Sequence, residues 1–240
     1  MSHSYYQLST GRVAGIDDDG DGDCAFPPLN QALSEPNGLI AIGGDLSATR
    51  LLSAYKQGIF PWYSAGEPIM WWSPSPRMVL FPDELKISSS LKKTLKKNLF
   101  EMRFNTAFRQ VISACSLTPR FEQTEDNQSN TWISEEMINA YCELHNLGYT
   151  MCAESWLNNK LVGGCYGIKI GHMFYGESMF HTQTDASKVA FVYLVNQLKN
   201  QGVGMIDCQM KTPLLASFGG REIEREAFMQ KLNFFCRSGL

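Results

Sequence analysis

The sequence predicts a mixed α+β fold, a sheet of mostly antiparallel strands with helices packed beside it. Three observations predict it. From Thr150 onward, strand-length runs are separated by turn pairs, Asn158-Asn159 and then Gly171-His172. Helical spacing of apolar residues marks Ser134 to Leu147 and Ala186 to Asn200. A short apolar strand, Met205 to Gln209, follows Gly202-Val203-Gly204. Strands and helices in this order bury their apolar faces as two packed layers.

The elements follow in chain order. Residues 1–25 are polar and carry IDDDGDGD from Ile16 to Asp23, which reads as a solvated, flexible extension. It is not a calcium loop, because a twelfth-position glutamate and flanking amphipathic helices are missing. Leu39 to Ile42 is a short strand. Asp45 or Ser47 then caps a helix running to about Gln57, with Leu51, Leu52 and Tyr55 on one face. Met78 to Phe81 reads as a strand. Ser88 to Phe100 reads as a helix with Leu91, Leu95 and Leu99 inward and Lys92, Lys93, Lys96 and Lys97 outward. Asn105 to Leu117 is a further helix, Arg120 to Asn130 a polar loop, and Ser134 the cap of the next helix. The strands Thr150 to Leu157, Lys160 to Ile170 and Met173 to Glu177 come next, and a last helix spans Glu222 to Leu232.

Bulk properties narrow the function. The 240 residues carry a net charge of −3, which argues against a surface coated in basic charge but allows a local basic patch. No apolar run reaches the roughly 18 residues of a membrane span. The N-terminal sequence has no secretory pattern, so a cytoplasmic protein is expected. Seven scattered cysteines with no CxxC pair read as reduced thiols rather than as disulfides or a zinc site.

Many motifs in a fixed order resemble one family, the leucyl/phenylalanyl-tRNA–protein transferases. They are PNGLIAIGGDLS (Pro36 to Ser47), AYKQGIFPWY (Ala54 to Tyr63), WWSPSPR (Trp71 to Arg77), TWI (Thr131 to Ile133), AYCELHNLGY (Ala140 to Tyr149), LVGGCYGIKIG (Leu161 to Gly171), FYGESMF (Phe174 to Phe180), ASK (Ala186 to Lys188) and IDCQ (Ile206 to Gln209). The resemblance spans roughly residues 26–232. It implies a small N-terminal domain, 26–85, and a larger GNAT-like catalytic domain, 86–240. It implies a monomer with no metal and no cofactor. The implied partners are tRNA charged with Leu, Phe or, less well, Met, and proteins with an N-terminal Arg or Lys. The implied outcome is a new peptide bond that marks the acceptor for N-end-rule degradation. The chain departs from the family where lysines replace arginines on the basic helix, and where Leu214 and Met151 stand at histidine positions.

Such a reaction needs a neutral amine, aligned reactants and a stabilised oxyanion. Glu177, in YGESMF, suits removal of the acceptor's proton, and equally suits a carboxylate that bonds turn N–H groups; the resemblance favours the acid–base role. In MIDCQM, strand alternation puts Asp207 and Gln209 on one face. Two polar residues there either pair or line a cavity, and the resemblance favours a catalytic pair. Trp132, Ile170, Met173, Phe174, Met179 and Leu194 are candidates for an apolar amino-acid pocket. Trp71 and Trp72 suit stacking on the terminal adenine of tRNA. Arg77 and the four lysines suit phosphate contact, and Glu154 is a candidate for the acceptor's basic side chain. Two other readings compete. A CoA-dependent N-acetyltransferase needs a Gly-rich pyrophosphate loop at a helix N-terminus, which does not follow the central strands. A non-catalytic tRNA-binding module would use the lysines and tryptophans alone.

Overall fold

The computed structural model describes residues 5–8, 11–17, 24–118 and 131–237. Asp18 to Asp23, from the acidic run, and Arg120 to Asn130, expected as a polar loop, lie outside the described residues. The described residues form two sheets. The first uses β1 (Tyr5–Leu8), β2 (Gly11–Ile16), β3 (Leu39–Gly43), β4 (Phe60–Pro61) and β5 (Met70–Trp72), in the order β1-β2-β3-β5-β4, with α1 (Ala48–Lys56) between β3 and β4. The rest of the chain supplies β6 (Arg77–Leu80), α2 (Ser89–Lys96), β7 (Glu101–Phe104), α3 (Phe108–Ser116), α4 (Glu135–Asn146), β8 (Thr150–Leu157), β9 (Lys160–Ile170), β10 (Met173–His181), α5 (Ala186–Asn200), β11 (Met205–Gln209), α6 (Pro213–Ser217), β12 (Arg221–Ile223) and α7 (Arg225–Arg237). Its strands form the larger sheet, β12-β6-β11-β10-β9-β8-β7. The fold is mixed α/β, as the patterning predicts.

Local chemistry sets the boundaries. Ser47 caps α1 by accepting from the Arg50 N–H, and Asp45 in turn accepts from the Ser47 N–H at 2.7 Å. Ser134 caps α4 through the Met137 N–H at 3.2 Å. Asn158 and Asn159 both take left-handed dihedrals, φ 50° and 59°, which close the β8–β9 hairpin. α5 connects β10 to β11, and those two strands pair in parallel while the other neighbours in the larger sheet are antiparallel. The sheet has a core on each face. One joins α1, α3 and α4 to residues such as Tyr166 and Tyr175, and the other joins α5 to Phe174 and Ile206.

Several expectations change. Two strands lie within residues 1–25, where composition predicts a flexible segment. Val13, Ala14 and Ile16 of β2 are buried, and β2 pairs in parallel with β3; a four-residue apolar stretch inside a polar run is too short to register as a strand. α2 ends at Lys96 because Asn98 turns left-handed, φ 48°, and Leu99 is therefore 54% exposed rather than inward. The helix expected from Asn105 begins at Phe108, since Asn105 is itself left-handed, φ 59°. The strand expected to stop at Glu177 continues to His181. The expected last helix yields its first residues to β12.

Two candidate site residues prove to be structural. Trp71 is fully buried, 0% exposed, with its indole N–H donated to the Gly43 carbonyl at 2.9 Å and its ring edge-on to Phe26. It has no face to offer a base. Glu154 is also fully buried. It accepts from the Thr106 and Ala107 N–H groups at 2.6 and 2.9 Å, from the Thr106 hydroxyl and from the Trp156 indole at 3.0 Å. It thus caps the approach to α3 and is not free for an acceptor's side chain. Burial opposes its charge, but these hydrogen bonds outweigh burial and hold its pKa below the ordinary value.

Glu154→Gln is expected to destabilise the fold by about 1–3 kcal/mol, read by thermal or urea unfolding at neutral pH, because buried N–H donors lose their charged acceptor. A lowered folded pKa gives stability that is present above the unfolded value and lost as pH falls. The gap between wild type and variant should therefore narrow as acid is added through the carboxylate range. A gap that stays constant in acid would refute the capping role.

Candidate active site

β10 and β11 pair over only three residues, Met173 to Tyr175 against Met205 to Asp207. Each strand is then irregular at the same level. β10 bulges against β9 between Gly176 and Ser178, and β11 against β6 between Asp207 and Gln209. The strands part, and a cavity of about 380 Å³ fills the gap, within the range of small-ligand sites. Apolar side chains make most of its wall. Trp132, Phe174, Met179 and Leu194 line it. Ile170 and Met173 do not. On β10, Phe174 faces the cavity and α5, whereas Met173 faces the opposite core, which also holds Ile170. Phe191 of α5, Cys165 of β9 and Trp62, which no apolar-pocket pattern in the sequence marks, also line the cavity. Trp62 lies in the FPWY motif. Trp72 packs edge-on to it at 5.7 Å and donates its indole N–H to the Trp62 carbonyl, so Trp72 supports the wall from behind.

Glu177 sits at the β10 bulge, on the cavity wall. The Tyr55 hydroxyl, from α1, donates to its Oε1 at 2.8 Å, and Tyr141, from α4, lies 3.3 Å from its Oε2. The two phenol oxygens are 2.5 Å apart. Burial raises both phenol pKa values well above the ordinary one, so both keep their protons and act as donors. Each has one proton. Tyr55 gives its proton to Glu177, and Tyr141 gives its own to Tyr55 or to Oε2. Burial also dominates Glu177, pushing its pKa up to about 8. The phenols and the Arg77 charge pull it down, and the Asp207 charge pushes it up. The sequence marks Tyr55 only as a residue of the apolar helix face and Tyr141 only as part of a motif. Their signal was their place in AYKQG and AYCEL, motifs with no other polar residue on the buried helix face.

Asp207 is fully buried and does not line the cavity. Its oxygens receive Arg77 Nε at 2.9 Å and Nη2 at 2.8 Å, and Oδ1 also accepts the Gln209 N–H at 2.9 Å. Arg77 is 1% exposed, so the expected contact with tRNA phosphate gives way to a buried ion pair. The simple alternation of β11 also fails. Gln209 has φ 56°, a left-handed conformation rare outside glycine. That turn brings Gln209 to the cavity beside Cys208, while Asp207 points to the other face. The two are therefore linked by the Asp207 carboxylate to the Gln209 backbone N–H, not side chain to side chain.

Lys92, Lys93, Lys96 and Lys97 are all exposed on α2 and its C-terminal turn. Thr94 ties that helix to Asp185, at the start of α5, with a 3.0 Å hydrogen bond. His145 stacks on Phe108 at 4.6 Å and bonds Asn105, a packing role. No helix among the described residues is long and apolar enough to cross a membrane.

Comparison with known proteins identifies the family. Residues 79–233 match the family described as leucyl/phenylalanyl-tRNA protein transferase, and residues 44–75 match its N-terminal domain. A leucyl/phenylalanyl-tRNA–protein transferase of Nitrosomonas europaea is 58% identical over 211 residues, 88% of this chain and 87% of that protein. One of Chromobacterium violaceum is 56% identical over 207 residues, 86% of each. Among solved structures, the C-terminal domain of a putative lysylphosphatidylglycerol synthetase from Agrobacterium fabrum aligns with 96% of this chain and 70% of its own, at 12% identity and a TM-score of 0.41, too low to argue from. On the extent and identity of the family matches, the chain belongs to the leucyl/phenylalanyl-tRNA–protein transferase family and is an aminoacyltransferase.

Proposed function

We propose that the enzyme moves leucine or phenylalanine, and methionine less well, from aminoacyl-tRNA to the N-terminal Arg or Lys of acceptor proteins, marking them for N-end-rule degradation. It works as a cytoplasmic monomer without a cofactor. The observation that carries this reading is the apolar cavity at the strand split, with the Glu177 carboxyl and the Gln209 amide on its wall. An apolar chamber suits leucine and phenylalanine side chains. β-branched residues are rejected by shape, which in such pockets gives discrimination of about 10–200-fold.

The donor ester is already activated, so no covalent enzyme intermediate is required. The acceptor's α-ammonium has an ordinary pKa of about 7.7–8.0. Glu177 titrates at about 8, so the two groups are matched for proton exchange. In the proposed step the Glu177 carboxylate takes one proton from the ammonium. The freed amine attacks the ester carbonyl, forming the C–N bond and moving charge to the carbonyl oxygen, where the Gln209 side-chain N–H is the donor. The ester C–O bond then breaks, and the ribose oxygen leaves with the nitrogen's second proton. The lysines of α2 hold tRNA phosphates, contacts that carry little sequence readout. The amino acid, rather than the tRNA, is then what the enzyme reads.

The founding experiment supplies tRNA charged with radiolabelled leucine and a peptide with N-terminal arginine. Label should reach that peptide and not one with a blocked N-terminus. Transfer to neither would overturn the reading.

Glu177→Gln should lower kcat/KM by about 10²–10⁴-fold. In the wild type the rate should rise with pH through about 8, because the raised pKa leaves little carboxylate below it. Tyr55→Phe removes a bond that favours the carboxylate, so the inflection should move to higher pH. An inflection that stays put would refute the phenol's role.

Replacing Lys92, Lys93, Lys96 and Lys97 together by Ala should raise KM for charged tRNA and leave kcat nearly unchanged. Each lost phosphate contact should reduce the log–log salt slope of tRNA binding by about 0.7–0.9. An unchanged slope would remove the helix from the tRNA path.

A further inference from the structure

The turn at Gln209 is the most unusual piece of backbone in the site. A non-glycine residue at φ 56° is disfavoured and persists only where its surroundings hold it. Two contacts hold it: the Met210 N–H donates to the Cys208 carbonyl at 2.7 Å across the turn, and Oδ1 of the Asp207 carboxylate accepts the Gln209 N–H at 2.9 Å. Asp207 can do this only if its own direction is fixed, and Arg77 fixes it. The guanidinium binds both carboxylate oxygens, Nε to Oδ1 at 2.9 Å and Nη2 to Oδ2 at 2.8 Å. A two-point bond sets the rotation of the carboxyl plane as well as its distance. The guanidinium is held in turn by aromatic rings from two other elements, Phe60 of β4 at 4.9 Å and Phe228 of α7 at 4.7 Å. With Arg77 and Asp207 both out of water, neither has a solvated alternative.

We propose that Arg77 is a positioning residue of the transfer reaction, acting through Asp207 to hold the left-handed turn that turns Gln209 into the cavity. The proposal rests on the transferase reading and on Gln209 serving the reacting ester. Arg77 touches neither substrate. Its effect passes along one route, from guanidinium to carboxylate to the Gln209 N–H. Lysine at this position keeps the positive charge, but an ammonium is a point donor and leaves the carboxyl plane free to rotate.

The test is a double-mutant cycle in the full chain, with leucyl-tRNA and an Arg-terminated peptide as substrates. Arg77→Lys is expected to lower kcat at least about tenfold and to keep KM for leucyl-tRNA within about twofold. Adding Gln209→Ala to Arg77→Lys should cause no loss beyond that of Gln209→Ala alone, since Arg77 acts only through the placement of the Gln209 side chain. Phe228→Leu, which loosens the guanidinium without altering a charge, gives a second entrance to the same cycle should Arg77→Lys not fold. It is expected to give a smaller loss in kcat, again non-additive with Gln209→Ala. Losses that multiply in full would overturn the proposal and leave Arg77 a purely structural ion pair. A harmless Gln209→Ala in an active enzyme would overturn it too, while the transferase reading stood. Only an inactive wild type would sink that reading.

Discussion

A carboxylate taken out of water must find a cation or enough donors to replace its hydration. Two carboxylates face this demand at one point of the sheet, and they meet it differently. Asp207 has the Nε–Nη2 edge of Arg77 and a backbone N–H, and stands as one half of a buried ion pair. Glu177 has no cation bonded to it, only two phenols, and burial lifts its pKa to about 8. The neighbouring Asp207 charge adds to that lift. One carboxylate is spent on geometry, which leaves the other free to exchange a proton.

This arrangement explains why the smaller sheet belongs to the site. The phenol of Tyr55 reaches Glu177 from α1, and the backbone carbonyl of the same residue accepts from the Tyr175 hydroxyl of β10 at 2.9 Å. The two rings meet edge-on at 4.9 Å. Phe60, from the same sheet, lies against Arg77 and also lines the cavity. Removing the smaller sheet would open one wall and expose the half-buried acid. Strand pairing changes from one sheet to the other between Trp72 and Arg77. Arg77 is therefore the first residue of the larger sheet, and it carries the charge on which Asp207 depends.

The sequence made some of this visible and hid the rest, for identifiable reasons. α5 and β11 were legible to the residue, because apolar periodicity and flanking glycines agree there. The hairpin at Asn158-Asn159 was legible because asparagine tolerates the left-handed turn. The cavity was half legible. Phe174 and Met179 lie in a motif beside Glu177, but which face each strand residue takes depends on two bulges that alternation cannot foresee. The same blindness put Asp207 and Gln209 on one face. Glu154 and Trp71 misled for another reason. An acid and an indole look functional in a sequence until their hydrogen bonds to Thr106, Ala107 and Gly43 are seen. Arg77 was misread as a surface cation because its partner lies 130 residues away.

The bulges and the ion pair also bear on how the two substrates can be told apart. In the proposed reaction the tRNA is held by exposed lysines on a helix, and exposed charges act at long range and are screened by salt. The amino acid enters a chamber whose polar groups are few and directed. A loosely held carrier and a closely held acyl group suit an enzyme that must accept several tRNAs and few amino acids. The chamber can be selective only if its floor does not yield, and β10 and β11 would close on each other if their pairing continued past Tyr175 and Asp207. The bulge at Glu177 and the left-handed turn at Gln209 prevent that pairing from both sides. Both residues assigned to the chemistry thus sit on the irregularities that keep the chamber open. For that reason a substitution that restored regular pairing in either strand would remove the pocket and its reactive groups together.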